Sequence, residues 1–384
     1  MATQYSPEYK ARSAAVAGLG GVVAGTSKIC EVNGEKGELY YGGYSIHDLV
    51  AAHFEEVIYL LWFGELPNKA QLSRLRADLA PDLELKAELK DLLKRFPKEA
   101  TPMAMLRTAV SALGMTDSSS LLKPSIEENR IRAHMLMGQT SAIVAGFDRA
   151  RKGQPYVAPV KELNFAQNFL LMLSGKKPDD LESRAFDIAL VLHADHEFNA
   201  STFAARVTAA TLADIYSAVT SAIGALQGPL HGGANEQVMK MLLEIGEVGN
   251  TEKVIASRLA EKRKIPGFGH RVYHAEDPRA THLRQMAKEL GERKGDTRWY
   301  DILKKIEEIM WRDKQIYSNV DCYSAAVYNL LGIETDLFTP IFAVSRMAGW
   351  TAHVLEQYTD NKLIRPRAEY IGPPHRPFVP LDKR

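Results

Sequence analysis

Over residues 27–46 apolar and polar positions alternate as in a half-buried strand: Ile29-Cys30-Glu31-Val32, then Asn33-Gly34 and Lys36-Gly37, then Leu39-Tyr40-Tyr41. Asn-Gly between two such runs favours the positive φ angles of a hairpin turn, so a small N-terminal β-hairpin is predicted here and no other notable sheet. Beyond it the apolar spacing changes to three and four residues, the period of an amphipathic helix. Helices are predicted near 45–64, 68–80, 84–95, 102–113, 124–152, 161–174 and 179–196. Gly64 to Pro67, Pro97, Gly114, Gly153 to Pro159 and Gly175 to Pro178 punctuate them. Over 183–196 one stripe carries Phe186, Ala189, Leu190 and His193, and puts His193 and His196 on a shared helical face. Residues 201–223 read as one small-residue helix, broken by Gly224, Gly228 and Pro229 at a candidate domain boundary. Further helices are predicted near 234–247, 251–263, 278–294 and 297–313, from Asn319 through Leu331, and from Thr339-Pro340 onward. The tail over 361–384, rich in Arg and Pro, reads as an extended arm over a neighbour. Short polar links between amphipathic helices make the fold class mainly α, with helices packed in layers.

A length of 384 residues suggests about two domains. The formal net charge of +1 offers no electrostatic case for nucleic acid or a membrane surface, which leaves small-molecule chemistry as the default. Two cysteines far apart, Cys30 and Cys322, fit a reducing cytoplasm better than a disulfide framework. Lys10 and Arg12 precede a small apolar run from Ala14 to Ala24, but this run lacks the leucine block and cleavage site of a secretory signal. No stretch is long and apolar enough to predict a membrane-spanning helix.

The candidate chemistry centres on two glycine-set histidines, His231 in Gly228-Pro229-Leu230-His231-Gly232-Gly233-Ala234-Asn235 and His270 in Pro266-Gly267-Phe268-Gly269-His270-Arg271-Val272-Tyr273. Glycine lets backbone approach a ligand closely, and each motif leads into helical sequence whose first N–H groups are open to an anion. Each is equally readable as an ordinary turn. His193 and His196, with Asp195 and Glu197 beside them, admit a metal site lacking a sure third ligand, a structural role or a substrate contact. Asp321 reads as a helix-start carboxylate or a functional one, and Cys322 as a small buried thiol. Arg346, set among Phe342, Ala343, Met347, Gly349 and Trp350, needs an anion, from a protein carboxylate or from a substrate.

In order and spacing these motifs resemble the citrate synthase family over nearly the whole chain. The carriers are Gly18-Leu19-Gly20-Gly21-Val22-Val23, Tyr40-Tyr41-Gly42-Gly43, the run His193 to Ser201, both glycine–histidine motifs, Asp277-Pro278-Arg279, Asn319-Val320-Asp321 and Arg365-Pro366-Arg367. The length is similar to the short bacterial or archaeal form, without a presequence or regulatory domain. The resemblance implies a two-domain multihelical fold: a large domain from 1–220 and 326–384, and a small domain of 221–325 carrying the CoA side of a cleft. It implies condensation of acetyl-CoA with oxaloacetate and water to citrate and CoA, with His231, His270 and Asp321 as catalytic groups. Oxaloacetate would meet His196, Asn199, Arg279, Arg346 and Arg365, the last from a partner subunit, with Ser201 supporting. CoA would meet Lys264, Ile265, Gly267, Phe268, Gly269, His274 and Asn319. His274 stands where the family usually has Lys or Arg, with Lys264 or Arg271 nearby to compensate, and Ser318 stands where proline is common. No metal or redox cofactor is implied, and the partner is a second copy, in a homodimer or a hexamer. The alternative is 2-methylcitrate synthase, using propionyl-CoA; a citrate lyase run in reverse and a non-catalytic helical or metal-binding scaffold are further rivals.

Overall fold

The computed structural model describes residues 16–117 and 125–384. Lys10, Arg12 and Ala14, and residue 124 at the predicted helix start, lie outside them. The chain divides into two units, 27–363 and the two ends, 1–26 with 364–384. In the smaller unit a 3-10 turn spans Ala17–Leu19, and the Arg/Pro tail is exposed and non-helical until a last turn at Leu381–Lys383.

The larger unit opens with a three-stranded antiparallel sheet, β1 Cys30–Asn33, β2 Glu38–Tyr41 and β3 Tyr44–Ser45. The predicted hairpin is there, with Asn33 opposite Glu38. The third strand was not expected, although its signal stands in the sequence: Gly42 and Gly43 both take positive φ and turn Tyr41 directly onto Tyr44.

Sixteen helices follow among the described residues. The first ten are α1 Ile46–Leu49, α2 Phe54–Phe63, α3 Lys69–Leu79, α4 Ala87–Arg95, α5 Pro102–Met115, α6 Ile126–Arg151, α7 Phe165–Ser174, α8 Asp180–His193, α9 Ala200–Ala210 and α10 Ile215–Leu226. The rest are α11 Ala234–Ile245, α12 Thr251–Ala260, α13 Pro278–Lys294, α14 Arg298–Lys314, α15 Val320–Leu330 and α16 Phe338–Thr359. Their starts are chemically marked. Asn68 with Gln71, Ser125 with Glu128, Asn164 with Gln167 and Asp179 with Glu182 each form a reciprocal capping box that satisfies otherwise open N–H groups.

Three predicted helices differ. The segment 45–64 is split into α1 and α2, because His53 and the Phe54 N–H bind the buried Asp187 carboxylate and begin a new helix. The segment 201–223 is split into α9 and α10, where Leu212 takes a positive φ and Asp214 caps the Ser217 N–H. The segment 179–196 stops at His193, and Glu197 adopts φ 54°, so His193 and His196 do not share a helical face.

The core gathers around α16, which is buried along nearly its whole length, Arg346 included, and packs on α2, α6, α8, α9 and α10. Close approach of α6 to the chain below it depends on Gly138, whose added Cβ would lie 2.5 Å from the Asp82 carbonyl carbon and oxygen. Gly138→Ala should therefore destabilise the protein by about 2–3 kcal/mol through backbone overpacking, read as a lowered urea midpoint.

Candidate active site

The first glycine–histidine motif is a tight turn between α10 and α11. The Gly232 N–H donates to the Leu226 carbonyl at 3.0 Å, and a Cβ on Gly232 would sit 2.5 Å from that oxygen, so glycine is required. The turn sets the His231 ring against the start of α9, where the Ser201 N–H donates to Nε2 at 3.2 Å and Ser201 Oγ lies 2.7 Å away. A backbone N–H can only donate, so Nε2 is the bare nitrogen and the ring hydrogen sits on Nδ1. Ser201 is itself held by Asn199 Oδ1 at 2.8 Å and by the buried Trp350 indole N–H at 3.1 Å. Burial, helped by the charge of Arg346, lowers the His231 pKa to about 4. The ring is neutral near pH 7.

The second motif reaches the mirror-image result. His270 Nδ1 accepts from the Val272 N–H at 3.0 Å and the Tyr273 N–H at 3.2 Å, leaving the hydrogen on Nε2. Burial and then Arg279 bring its pKa down to about 4. The preceding loop lies against the start of α15. Gly267, at φ 83°, takes a conformation that favours glycine, and a Cβ there would meet the Cys322 Cα at 3.0 Å. The Gly269 N–H donates to Tyr317 O and the Asn319 N–H to Gly267 O, both at 2.9 Å.

Asp321 stands in the first turn of α15, fastened to the His270 loop by one side chain. Asn319 Oδ1 accepts the Asp321 N–H at 3.0 Å, while its Nδ2 donates to Gly269 O at 2.7 Å. Asp277 adds a second tie: it accepts from Arg279 Nε and Nη2 at 2.9 and 2.8 Å and from the Val320 N–H at 3.0 Å. Asp321 Oδ1 is buried without a hydrogen-bond partner among the described residues. Burial lifts the Asp321 pKa to about 7; Arg279 opposes this and the Asp277 charge adds to it.

Two guanidiniums join these groups electrostatically. Arg346 acts on His231, His196 and Asp321, and Arg279 on His196, His270 and Asp321. Arg346 is 1% exposed; its Nε donates to the His193 carbonyl at 2.7 Å, and among the described residues no carboxylate forms an ion pair with it. Arg279 keeps Nη1 without a hydrogen bond to the described residues. His196 faces Tyr273 Oη at 3.1 Å, and burial followed by the Arg279 charge lowers its pKa well below the usual histidine range.

His193 donates Nδ1–H to the Ala189 carbonyl at 2.7 Å, and among the described residues no group of three or more His, Cys, Asp or Glu is arranged to hold a metal ion. Cys322 is a fully buried thiol, as expected. Of the proposed CoA contacts, Ile265 is buried, Phe268 half-buried and Lys264 exposed. Asn319 is engaged at both ends by the protein. His274 is exposed, 3.6 Å from Glu35, with its N–H donating to Gly34 O at the tip of the β1–β2 hairpin. Arg365 is exposed and belongs to the smaller unit. Tyr41, Tyr273, Asp277 and Trp350 were not anticipated as part of the site. Only Asp277 had a local signal, an Asp-Pro helix start.

A mainly helical scaffold thus carries two neutral histidines of fixed, opposite tautomer and a carboxylate raised toward neutrality, linked by the charges of two buried guanidiniums. The family described as "Citrate synthase, C-terminal domain" matches residues 18–367. Citrate synthase 2 of Bacillus subtilis is 52% identical over 96% of this chain and 99% of its own length. A 2-methylcitrate synthase of Shewanella oneidensis is 40% identical over 96% and 98%. The citrate synthase of Thermoplasma acidophilum, solved as a ternary complex with carboxymethyl coenzyme A and oxaloacetate, superposes with a TM-score of 0.90 at 34% identity, covering 96% of this chain and 99% of that one. The chain belongs to the citrate synthase family, enzymes of the acyltransferase class.

The buried histidines make stability acid-sensitive. His193, at about 3, His231 and His270, at about 4, and the strongly lowered His196 stay neutral in the fold where an unfolded chain would protonate them near pH 6.5. Their contribution is whole above pH 6.5 and is lost as pH falls toward 4. Asp321, raised in the fold, opposes this with one proton between pH 7 and 4. The urea midpoint should fall steeply from pH 6.5 to 4.5, by roughly 1–4 kcal/mol of stability per pH unit; a flat midpoint over that window would contradict the assignment.

Proposed function

We propose that the protein condenses acetyl-CoA with oxaloacetate and hydrolyses the citryl thioester to citrate and CoA. The thioester methyl is a weak acid, so its proton leaves only if a base takes it while a donor stabilises the growing charge on the carbonyl oxygen. Asp321 is the base: an acidity near neutrality keeps it ionised yet still basic. His231 Nδ1–H donates to the thioester oxygen. The enol carbon then attacks the ketone carbon of oxaloacetate, and His270 Nε2–H donates to the ketone oxygen and passes its proton to the new alkoxide, to be replaced by the proton that Asp321 took from the methyl. Water cleaves the thioester, with CoA leaving as the thiol. The single observation behind this reading is that backbone N–H groups fix both rings as neutral donors with the hydrogen on opposite nitrogens, while Arg279 and Arg346, whose charges act on those rings, also act on a carboxylate raised to about 7.

Oxaloacetate brings two carboxylates, for which we assign Arg346, Arg279 and His196, with Asn199 and Ser201 holding His231 and its loop. That no carboxylate among the described residues forms an ion pair with Arg346 supports a substrate anion. Arg365 would come from the second subunit of a homodimer, or of a hexamer built from such dimers. CoA would run along Lys264 and the backbone of Ile265 to Gly269 toward His274, with Asn319 shaping that wall. We divide the chain into 1–220 with 326–384 and a small domain, 221–325, that closes on oxaloacetate and excludes water. The thioester supplies the activation, so no metal or redox cofactor is assigned, and two unpaired thiols suit a cytoplasmic setting.

Asp321→Ala should lower kcat by about 10³-fold or more, and His231→Ala and His270→Ala by about 10²–10³-fold each, measured as thiol release from acetyl-CoA and oxaloacetate. Asp321 must be ionised and both histidines are already neutral above pH 4, so kcat/KM for acetyl-CoA should rise with pH and level off above about 7. A limb near 4 would remove Asp321 as the base. Acetyl-CoA should exceed propionyl-CoA in kcat/KM by about 10–200-fold, the discrimination one methylene permits; the reverse ratio would make 2-methylcitrate the product.

A further inference from the structure

The loop from Ala194 to Asn199 carries His196 and Asn199 between α8 and α9 in a conformation its own residues do not favour. Glu197, an exposed non-glycine residue, sits at φ 54°. Such a backbone persists only where surrounding contacts over-determine it. Here they come from beneath, and none is a group assigned to the reaction. Asp195, fully buried, accepts the Glu197 N–H at 3.2 Å and the His353 Nε2–H at 3.2 Å on the same oxygen, Oδ2. His353, also fully buried, accepts at Nδ1 from Arg206 Nη1 at 3.0 Å, which fixes its hydrogen on Nε2, toward Asp195. Arg206 Nη1 also donates to Glu356 Oε2 at 2.6 Å, and the Lys28 N–H donates to Glu356 Oε1 at 2.8 Å. The Arg206 guanidinium lies 4.6 Å from the centre of the Phe198 ring, so it grips the loop a second time. Tyr41 Oη donates to Asp195 O at 2.9 Å and accepts the Asp195 N–H at 3.2 Å, and the Gly349 N–H donates to Ala194 O at 3.1 Å.

We infer that Asp195, His353 and Arg206 are positioning residues for oxaloacetate recognition: a buried carboxylate–imidazole–guanidinium chain that holds the strained 194–199 loop, and through it aims His196 at the substrate dicarboxylate. The inference rests on the oxaloacetate reading given above. Each link has one direction. Arg206 can only donate, so His353 presents a donor to Asp195, and Asp195 can accept the Glu197 N–H that the left-handed residue offers it. Asp195 is also the carboxylate whose charge supports the buried Arg346 cation without contacting it. The chain thus serves both ends of one subsite, the imidazole through the backbone and the guanidinium through the field.

The test compares His353→Leu, which breaks the chain, with His353→Gln, which keeps a donor toward Asp195. Phe198→Leu serves as a milder, half-buried variant that leaves the buried chain intact and removes the grip of Arg206 on the loop. Oxaloacetate affinity is measured by calorimetry, KM for each substrate by thiol release, and folding by circular dichroism and thermal melting. His353→Leu should weaken oxaloacetate binding about 10–100-fold and Phe198→Leu by a few-fold, with the KM for acetyl-CoA changed less than about two-fold and most of the loss recovered in His353→Gln. If His353→Leu does not fold, Phe198→Leu decides: oxaloacetate affinity equal to that of the unaltered protein overturns the inference. Equal weakening for both substrates, or equal loss in the Leu and Gln variants, overturns it as well. Absence of oxaloacetate binding or turnover by the unaltered protein would instead remove the underlying functional reading.

Discussion

The cation of Arg346 lies inside an apolar helix with no carboxylate of the described residues in contact, and its surroundings are arranged around that fact. An isolated buried charge is unfavourable by several kcal/mol unless something answers it. In this protein the answers are indirect: the His193 carbonyl takes its Nε–H, the Phe342 ring lies 4.8 Å below the guanidinium carbon, and Asp195 supplies opposing charge at a distance. Burial is the main reason that His196 and His231 stay unprotonated, and the remaining positive field of Arg346 adds to it. In the proposed reaction one residue therefore serves both the anion subsite and the neutral state of a hydrogen-bond donor, so the two properties cannot be varied independently.

The same restraint appears in how the reacting groups are oriented. Neither His231 nor His270 has a carboxylate partner among the described residues to fix its tautomer; backbone N–H groups do so, Ser201 for one ring and Val272 with Tyr273 for the other. A carboxylate partner would raise an imidazole's basicity and favour the cation, whereas an N–H donor holds the ring neutral. The carboxyl of Asp321 is managed in the opposite sense. It is left with a buried oxygen unpartnered, a destabilising choice for the fold that keeps the group basic. Asn319 and Asp277 then tie this carboxylate to the His270 loop and to Arg279, so groups from separate stretches of chain share one small set of hydrogen bonds.

Much of this was legible in the chain. Periodicity located most helices because capping residues such as Ser125 and Asp179 mark their starts chemically. It failed where tertiary partners decided the break: Asp187 ends the run before Phe54 from 133 residues away, and no local pattern announces that. The motifs drew attention to His231, His270, Asp321 and Arg346, the groups on which the proposed reaction rests, and the demand of Arg346 for an anion followed from its neighbours alone. What the chain could not display were the roles of Tyr41, Asp277, Trp350 and His353. Each acts through a contact with a distant segment, and a tyrosine, tryptophan or histidine on an apolar stripe looks the same whether it fills space or steers a loop. The shared helical face assigned to His193 and His196 failed for a related reason: the helix ends between them because Gly349 and Tyr41 engage the backbone at 194 and 195.

The bond from Asp195 to His353 spans 158 positions of chain. During synthesis the segment bearing His196 therefore emerges long before the final helix that fixes its shape. Contacts so far apart form late and close large loops, which slows their assembly. An unfinished chain, or one cut ahead of that helix, retains the histidine and yet lacks the frame that orients it. The shape of the 194–199 loop is in this way deferred until the helix bearing His353 has been made.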